Sequence, residues 1–315
     1  MISASKNHFP RFRYIEGKKW LYNPVLRKRF ANLPEERVRL QFVDYLLSET
    51  DINKNRIGFE APVKLPQAEN TLRADLVLYD RSMNPFVLIE CKSEKIRLNQ
   101  TTAEQIARYN RRLNASFIMI TNGVEEIWYD LSGDKPKSTD SPLKPSGDTA
   151  ELLRDEAYWI ERAFISPESG TETRNLATAA LKEFFTESGP DPVQYLEFPP
   201  SISPFSMNHY YRVSAADQDH NVAYTILDGN RGATILCAAI NREGKNRGAL
   251  WINLDQLDSE STPEAQLLTE NGPQSVPLPA RFRKNLQNGD NFFLKNIGKE
   301  LLNLFDRTAP SANFQ

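Results

Sequence analysis

Two apolar runs joined by a tight turn constrain this chain more than any other feature in it. RADLVLYD (73–80) and PFVLIECKSE (85–94) both read as β-strands, and RSMNP between them reads as a turn. An antiparallel pairing of the two brings Asp75 beside Glu90 and Lys92. Side chains alternate along a strand, so Glu90 and Lys92 share a face while Cys91 points away. Two carboxylates and a lysine then cluster on otherwise apolar strands. Charges so placed are costly unless they pair with one another or bind a metal. Hard oxygen donors of this kind suit Mg²⁺ or Mn²⁺, with water and substrate phosphate filling the remaining positions. Asp75 and Glu90 are the expected ligands, with the Cys91 carbonyl open as a further one. The ion would polarise a phosphodiester and acidify a water, and Lys92 would orient that water or stabilise charge on the transition state.

The flanking segments place this pair of strands in a larger unit. Apolar residues at Val38, Phe42, Val43, Leu46 and Leu47 have the spacing of an amphipathic helix, starting at Asn32 or Pro34. FEAPVKLP reads as a short strand, TTAEQIARYNRRLN (101–114) as a helix, and ASFIMITNG (115–123) and EEIWYDL (125–131) as further strands. Helix, three strands, helix, two strands predicts a mixed α/β core with one helical crossover. Residues 8–33 are aromatic and basic without clear periodicity, and 132–148, rich in Ser, Pro, Asp and Lys, read as a loop or linker. Beyond it, helices are expected near 149–165 and 172–187, strands at YYRVSA, VAYTILD, ATILCAAI and ALWINL, and a helix in the tail. The expected division is 1–131, a linker 132–148, and 149–315 as an α+β domain.

Composition narrows the function classes. The 315 residues are 40% hydrophobic and 25% charged, as in a globular protein. No apolar run reaches the length of a membrane span, and the polar, basic N-terminus has no signal-peptide core. Cys91 and Cys237 are the two cysteines and do not form a CxxC pair, so a disulfide framework and a structural zinc site are not expected; a reducing cytoplasm is the simplest home. His8, His209 and His220 are scattered, with no zinc-enzyme signature. Residues 1–145 hold 24 Lys and Arg against 18 Asp and Glu, a net of +6, whereas 146–315 hold 15 against 23, a net of −8. The first half suits a polyanion such as DNA, and the acidic second half suits a protein partner better than a nucleic acid.

RADLVLYD…PFVLIECKSEK, AEQIARYN and FIMITNG, with LRKRFANLPEERVRLQFVDYLL upstream, resemble the N-terminal nuclease domain of type I restriction enzyme R subunits. That family is a RecB-like branch of the PD-(D/E)xK nucleases, and the resemblance covers about residues 20–130. It implies a restriction-endonuclease-like mixed sheet flanked by helices and a Mg²⁺-dependent DNA endonuclease activity. Asp75, Glu90 and Lys92 match its motif positions. Gln105 and Tyr109 match its Q-x-x-x-Y helix, which implies contact with DNA phosphate or support of the site. Glu36 matches an acidic residue on the first helix that faces the metal. The full R subunits are longer and carry helicase motors; this chain has no GxxxxGK[ST] loop, so ATP-driven translocation is not expected of it.

Other residues keep two readings. Arg73 shares the face of Asp75 and suits phosphate binding or simple charge balance. Arg108, Arg111 and Arg112 suit phosphate binding or a solvated basic face. Cys91 reads as a core thiol, and Phe205, Tyr210, Tyr211 and Trp251 as core aromatics rather than a base-stacking platform. Two alternatives to the endonuclease remain: a non-catalytic nucleic-acid-binding module on a nuclease-like scaffold, and a partner-docking protein acting through its acidic half. The oligomeric state is open.

Overall fold

The computed structural model describes residues 1–63, 72–98, 113–133, 135–146, 152–186, 191–229, 232–257 and 262–307, with backbone alone at 61–63 and 72–73. The chain divides into two compact units, Met1–Leu153 and Arg154–Gln315.

The first unit opens with three short antiparallel strands, β1 (Arg11–Ile15), β2 (Lys18–Asn23) and β3 (Lys28–Phe30), paired in that order. Phe12 and Leu21 face one another across β1 and β2 and are buried. Helix α1 (Pro34–Glu49) follows, with Pro34 at its start and Glu35 and Glu36 in the first turn, where acids favour the helix dipole. Val38, Phe42, Val43 and Leu46 are fully buried as the apolar spacing predicts, whereas Leu47 falls at the exposed rim.

A six-stranded mixed sheet forms the body of the unit: β4 (Ile57–Val63), β5 (Leu72–Tyr79), β6 (Pro85–Cys91), β7 (Phe117–Thr121), β8 (Glu126–Asp130) and β9 (Lys137–Thr139), in chain order. All neighbours are antiparallel except β6 and β7, which run parallel from Val87↔Phe117 to Cys91↔Thr121. A parallel pair needs a crossover connection; residues 92–116 supply it, and most of the helix predicted there lies outside the described residues. The apolar residues of α1 pack with Leu76, Leu78, Val87, Ile89 and Cys91 on one face of the sheet. Val77 and Leu88, of opposite parity, join Ile118 and Ile120 on the other. This is the mixed α/β core that the strand and helix pattern predicts.

The N-terminal segment is stitched to β8 through one buried acid. Glu126 accepts from Ser3 Oγ, the Ala4 amide and Trp128 Nε1, each at 2.9 Å. Glu126→Ala strands three donors and should lower the unit's stability by about 3 kcal/mol, read as an earlier urea midpoint with an unchanged m-value.

Two predicted features differ. Residues 8–33 form the β1–β3 meander rather than irregular chain. The stretch 132–148, read as loop or linker, contains β9, whose three residues pair with Trp128, Tyr129 and Asp130. It is tied back further on, where the Asp51 amide donates to the Lys144 carbonyl and the Ser146 amide to that of Glu49. A polar three-residue edge strand has no apolar pattern to betray it.

The second unit contains α2 (Glu156–Glu161), α3 (Thr171–Phe184), a seven-stranded antiparallel meander and three C-terminal helices, α4 (Ala280–Gln287), α5 (Asn291–Lys295) and α6 (Ile297–Asp306). The strands are β10 (Val193–Leu196), β11 (His209–Ala215), β12 (His220–Asp228), β13 (Thr234–Arg242), β14 (Lys245–Asn253), β15 (Glu264–Thr269) and β16 (Gly272–Pro277). Of the helix expected over 149–165, the described residues hold the six of α2, opened by an Asp155 cap on the Tyr158 amide. Ala163, at φ 58°, stands in the left-handed region just beyond its end. Tyr210 and Tyr211 are buried core aromatics as expected, while Phe205 and Trp251, edge-on at 6.1 Å, are half-buried and pack against that core. Among the described residues no helix is long and apolar enough to cross a membrane.

Candidate active site

Main-chain pairing between β5 and β6 ends at Leu76↔Ile89. One residue further out, Asp75 and Glu90 stand where the next pair would be. The Asp75 side chain continues the ladder itself, Oδ2 accepting the Cys91 amide at 2.7 Å. Lys92 lies just past the strand, held by its amide donating to the Thr121 carbonyl at 2.8 Å. Its Nζ donates to Glu90 Oε1 at 2.7 Å, so the two side chains meet on one side. All three retain access to solvent: the side chain of Asp75 is 29% exposed, that of Glu90 19% and that of Lys92 27%.

The electrostatics are those of a crowded, half-dry acid pair. Burial pushes the Asp75 carboxyl above its ordinary range, opposed by the Cys91 amide, Arg39 and Lys92. Burial also raises Glu90, and the neighbouring Asp75 charge raises it further, against the pull of Lys92. Burial alone would lower Lys92, but its hydrogen bond to Glu90 and the surrounding carboxylates outweigh that and raise it. Lys92 is therefore an ammonium at neutral pH. The Cys91 thiol is fully buried and pushed well above its usual value, first by burial and then by the Asp75 charge. It is a core thiol as expected, and no thiolate nucleophile is present there.

Helix α1 supplies a further set of charges. Arg39 is buried and ion-paired to Glu36; its Nη1 lies 3.6 Å from Glu60 Oε1 and 4.0 Å from Asp75 Oδ1. Glu60 falls between the β4–β5 pairs Phe59↔Leu76 and Ala61↔Ala74, with φ 46°. A non-glycine residue in that region stores of order 1–3 kcal/mol of strain, and such residues concentrate at functional sites. Glu36, expected to face a metal, thus pairs with Arg39, while its second oxygen, Oε1, is buried without a hydrogen-bond partner among the described residues. The exposed Glu35 is the first-helix acid whose charge acts on Asp75, Glu90 and Lys92 alike. Reading the sequence missed Glu35, Arg39 and Glu60. Helical spacing held the signal for Arg39, which is four residues from Glu35 and three from Glu36.

The loops beside Lys92 are pinned. Arg37 Nε lies 3.4 Å from Glu94 Oε1, and Asn122 Nδ2 donates to the Ile96 carbonyl at 2.9 Å. Asn122 Oδ1 also accepts the Val124 and Glu125 amides and so forms the turn between β7 and β8. Gly123 is required here: its φ is +83°, and a Cβ would stand 3.0 Å from Gln41 Oε1. The side chain of Arg73 and the whole of Gln105, Arg108, Tyr109, Arg111 and Arg112 lie outside the described residues.

Asp75 and Glu90 offer the hard carboxylate oxygens that Mg²⁺ and Mn²⁺ prefer. Among the described residues no three Asp, Glu, His or Cys side chains form a ready metal cage.

Residues 34–141 match the family model of the type I restriction enzyme R protein N terminus. The match runs from the start of α1 through β9 and leaves out residues 20–33. No curated protein and no solved structure matches the chain.

Proposed function

We propose that this chain is a divalent-metal-dependent DNA endonuclease of a restriction or defence system, with Asp75, Glu90 and Lys92 as its catalytic residues. The observation that carries the reading is Asp75 bonded to the Cys91 amide, which lies between the hydrogen-bonded Glu90 and Lys92, inside the segment that matches the restriction-enzyme family. Asp75 and Glu90 would hold the ion, with Glu36 or Glu35 and the Cys91 carbonyl as further donors. A cation bound there supplies Lewis-acid polarisation of the scissile phosphate and acidifies the attacking water.

The chain's own groups do the rest. Lys92, protonated beside Glu90, donates hydrogen bonds where negative charge grows on the phosphate oxygens. Held by its amide on Thr121, it is aimed before substrate arrives. Arg39 keeps Asp75 oriented and balances the acids around it. Gln105 and Tyr109 are assigned to support of the site or contact with DNA phosphate.

Cleavage of supercoiled plasmid in Mg²⁺ or Mn²⁺, and none in EDTA, tests the activity. Metal uptake has its own readout. Raised carboxyl pKa values mean that ionising Asp75 and Glu90 opposes folding: the favourable protonated form is lost as pH rises through the folded values. A cation removes that opposition, and binds better once the protons have left. Mn²⁺ at about 100 times its Kd should raise Tm by roughly 5–10 °C for a unit of this size. The shift should grow from about pH 5 to about pH 8 and vanish in Asp75→Asn/Glu90→Gln. A chain that binds DNA but shows no metal-induced shift would be a non-catalytic scaffold.

A further inference from the structure

The exposed face of the β1–β3 meander lies outside the family match and has no part in the chemistry above. Register assigns its side chains. Arg11 stands opposite Tyr22, Arg13 opposite Trp20 and Tyr22 opposite Arg29. Arg11, Arg13, Lys18, Trp20, Tyr22 and Arg29 therefore share one face, and each is partly or fully exposed. The opposite face carries the buried Phe12, Leu21 and Asn23. Residues 1–33 hold eight Lys and Arg against one Glu, so the segment is strongly basic.

We propose that this face docks duplex DNA, gripping backbone phosphates with cations that its own aromatic rings hold in place. Lys18 Nζ sits 4.9 Å from the Trp20 centroid, with Arg29 5.3 Å from the same ring and Arg13 4.9 Å from that of Tyr22. Such contacts fix long, flexible cations without neutralising them. With cations over them, the rings serve as props rather than as stacking platforms for unpaired bases, which favours the phosphates of a duplex. Charge complementarity names the occupant, since a phosphate backbone attracts ordered Lys and Arg whatever its sequence. Arg39, whose guanidinium lies 5.8 Å from the Phe30 ring of β3 and 4.0 Å from Asp75, places meander and acid pair side by side. The proposal takes DNA as substrate from the reading above, but its test involves no cutting.

The full chain is titrated onto a fluorescein-labelled duplex of about 20 base pairs in EDTA, at about 50 to 200 mM salt. Arg13→Gln/Lys18→Gln/Arg29→Gln should weaken binding at least about tenfold and flatten the log K against log salt slope by roughly three. Each single Gln variant should flatten it by about one, which keeps the test valid if the triple variant folds poorly. Arg13→Lys/Arg29→Lys keeps the charge and should keep the slope. Arg81→Gln, exposed on the turn before β6, should leave affinity unchanged. An unchanged slope in the Gln variants, no wild-type affinity at low salt, or preference for single-stranded DNA overturns the proposal. Wild-type binding lost in the Gln variants, with no cleavage in Mg²⁺ or Mn²⁺, would retire the nuclease reading and leave this one standing.

Discussion

Lys92→Ala should cut supercoiled plasmid slower than wild type by on the order of 10²–10³-fold while keeping its fold. That magnitude is typical for removal of one preorganised donor from a site where charge develops. Lys92 is half-buried at the end of β6, and its one hydrogen-bond partner in the site is Glu90. Losing a partly exposed ion pair costs stability little, within about 1 kcal/mol, so a fall in rate cannot be ascribed to unfolding. Lys92→Arg should not restore activity, because a planar fork cannot take the position of a point-like ammonium. Asp75→Asn should lose at least as much activity, and retains an oxygen to accept the Cys91 amide. Rates for all three, set beside their melting curves, decide the assignment; a Lys92→Ala protein that cuts like wild type would end it.

Arg39→Ala should destabilise the first unit by about 3–5 kcal/mol, lowering Tm by roughly 6–20 °C. Arg39 is buried, and it faces three acids from three elements: Glu36 on α1, Glu60 on β4 and Asp75 on β5. Its removal leaves Glu36 buried with no counter-charge, the situation in which a broken buried pair is most costly. Replacing both members, Arg39→Met with Glu36→Leu, should recover much of the loss, since no charge is then stranded. Urea melts of the two single variants and the double close the cycle and read the coupling directly. Near-additive losses would show that the pair carries no such role.

The parts of this fold that were legible in the sequence are those whose burial leaves a period. β5, β6 and β7 are apolar runs bounded by turns, and Val38, Phe42, Val43 and Leu46 mark one side of α1. The hairpin reading brought Asp75, Glu90 and Lys92 together because alternation and a short turn leave few other arrangements. The β1–β3 meander was not legible: its inward face sets Phe12, Leu21 and Phe30 among Lys19, Asn23 and Lys28, and its outward aromatics are interleaved with cations. β16, GPQSVP, alternates half-buried and exposed residues with no apolar face, and β9 is three polar residues. Both owe their strand character to a neighbour rather than to their own side chains. The surroundings of the site were legible only in part. Which of two adjacent acids acts on Asp75, Glu90 and Lys92 depends on the angle at which α1 meets the sheet, and a left-handed Glu60 leaves no trace in composition. Gln105 and Tyr109 remain expectations from resemblance.

The hydrogen bond from the Cys91 amide fixes the rotamer of Asp75 before any ligand arrives. The conformational freedom of that carboxylate is surrendered as the two strands zip together, not at the moment of capture. If Asp75 holds the ion proposed for it, any loosening of the hairpin end would therefore be felt first as weaker ion affinity, well before the unit itself began to melt.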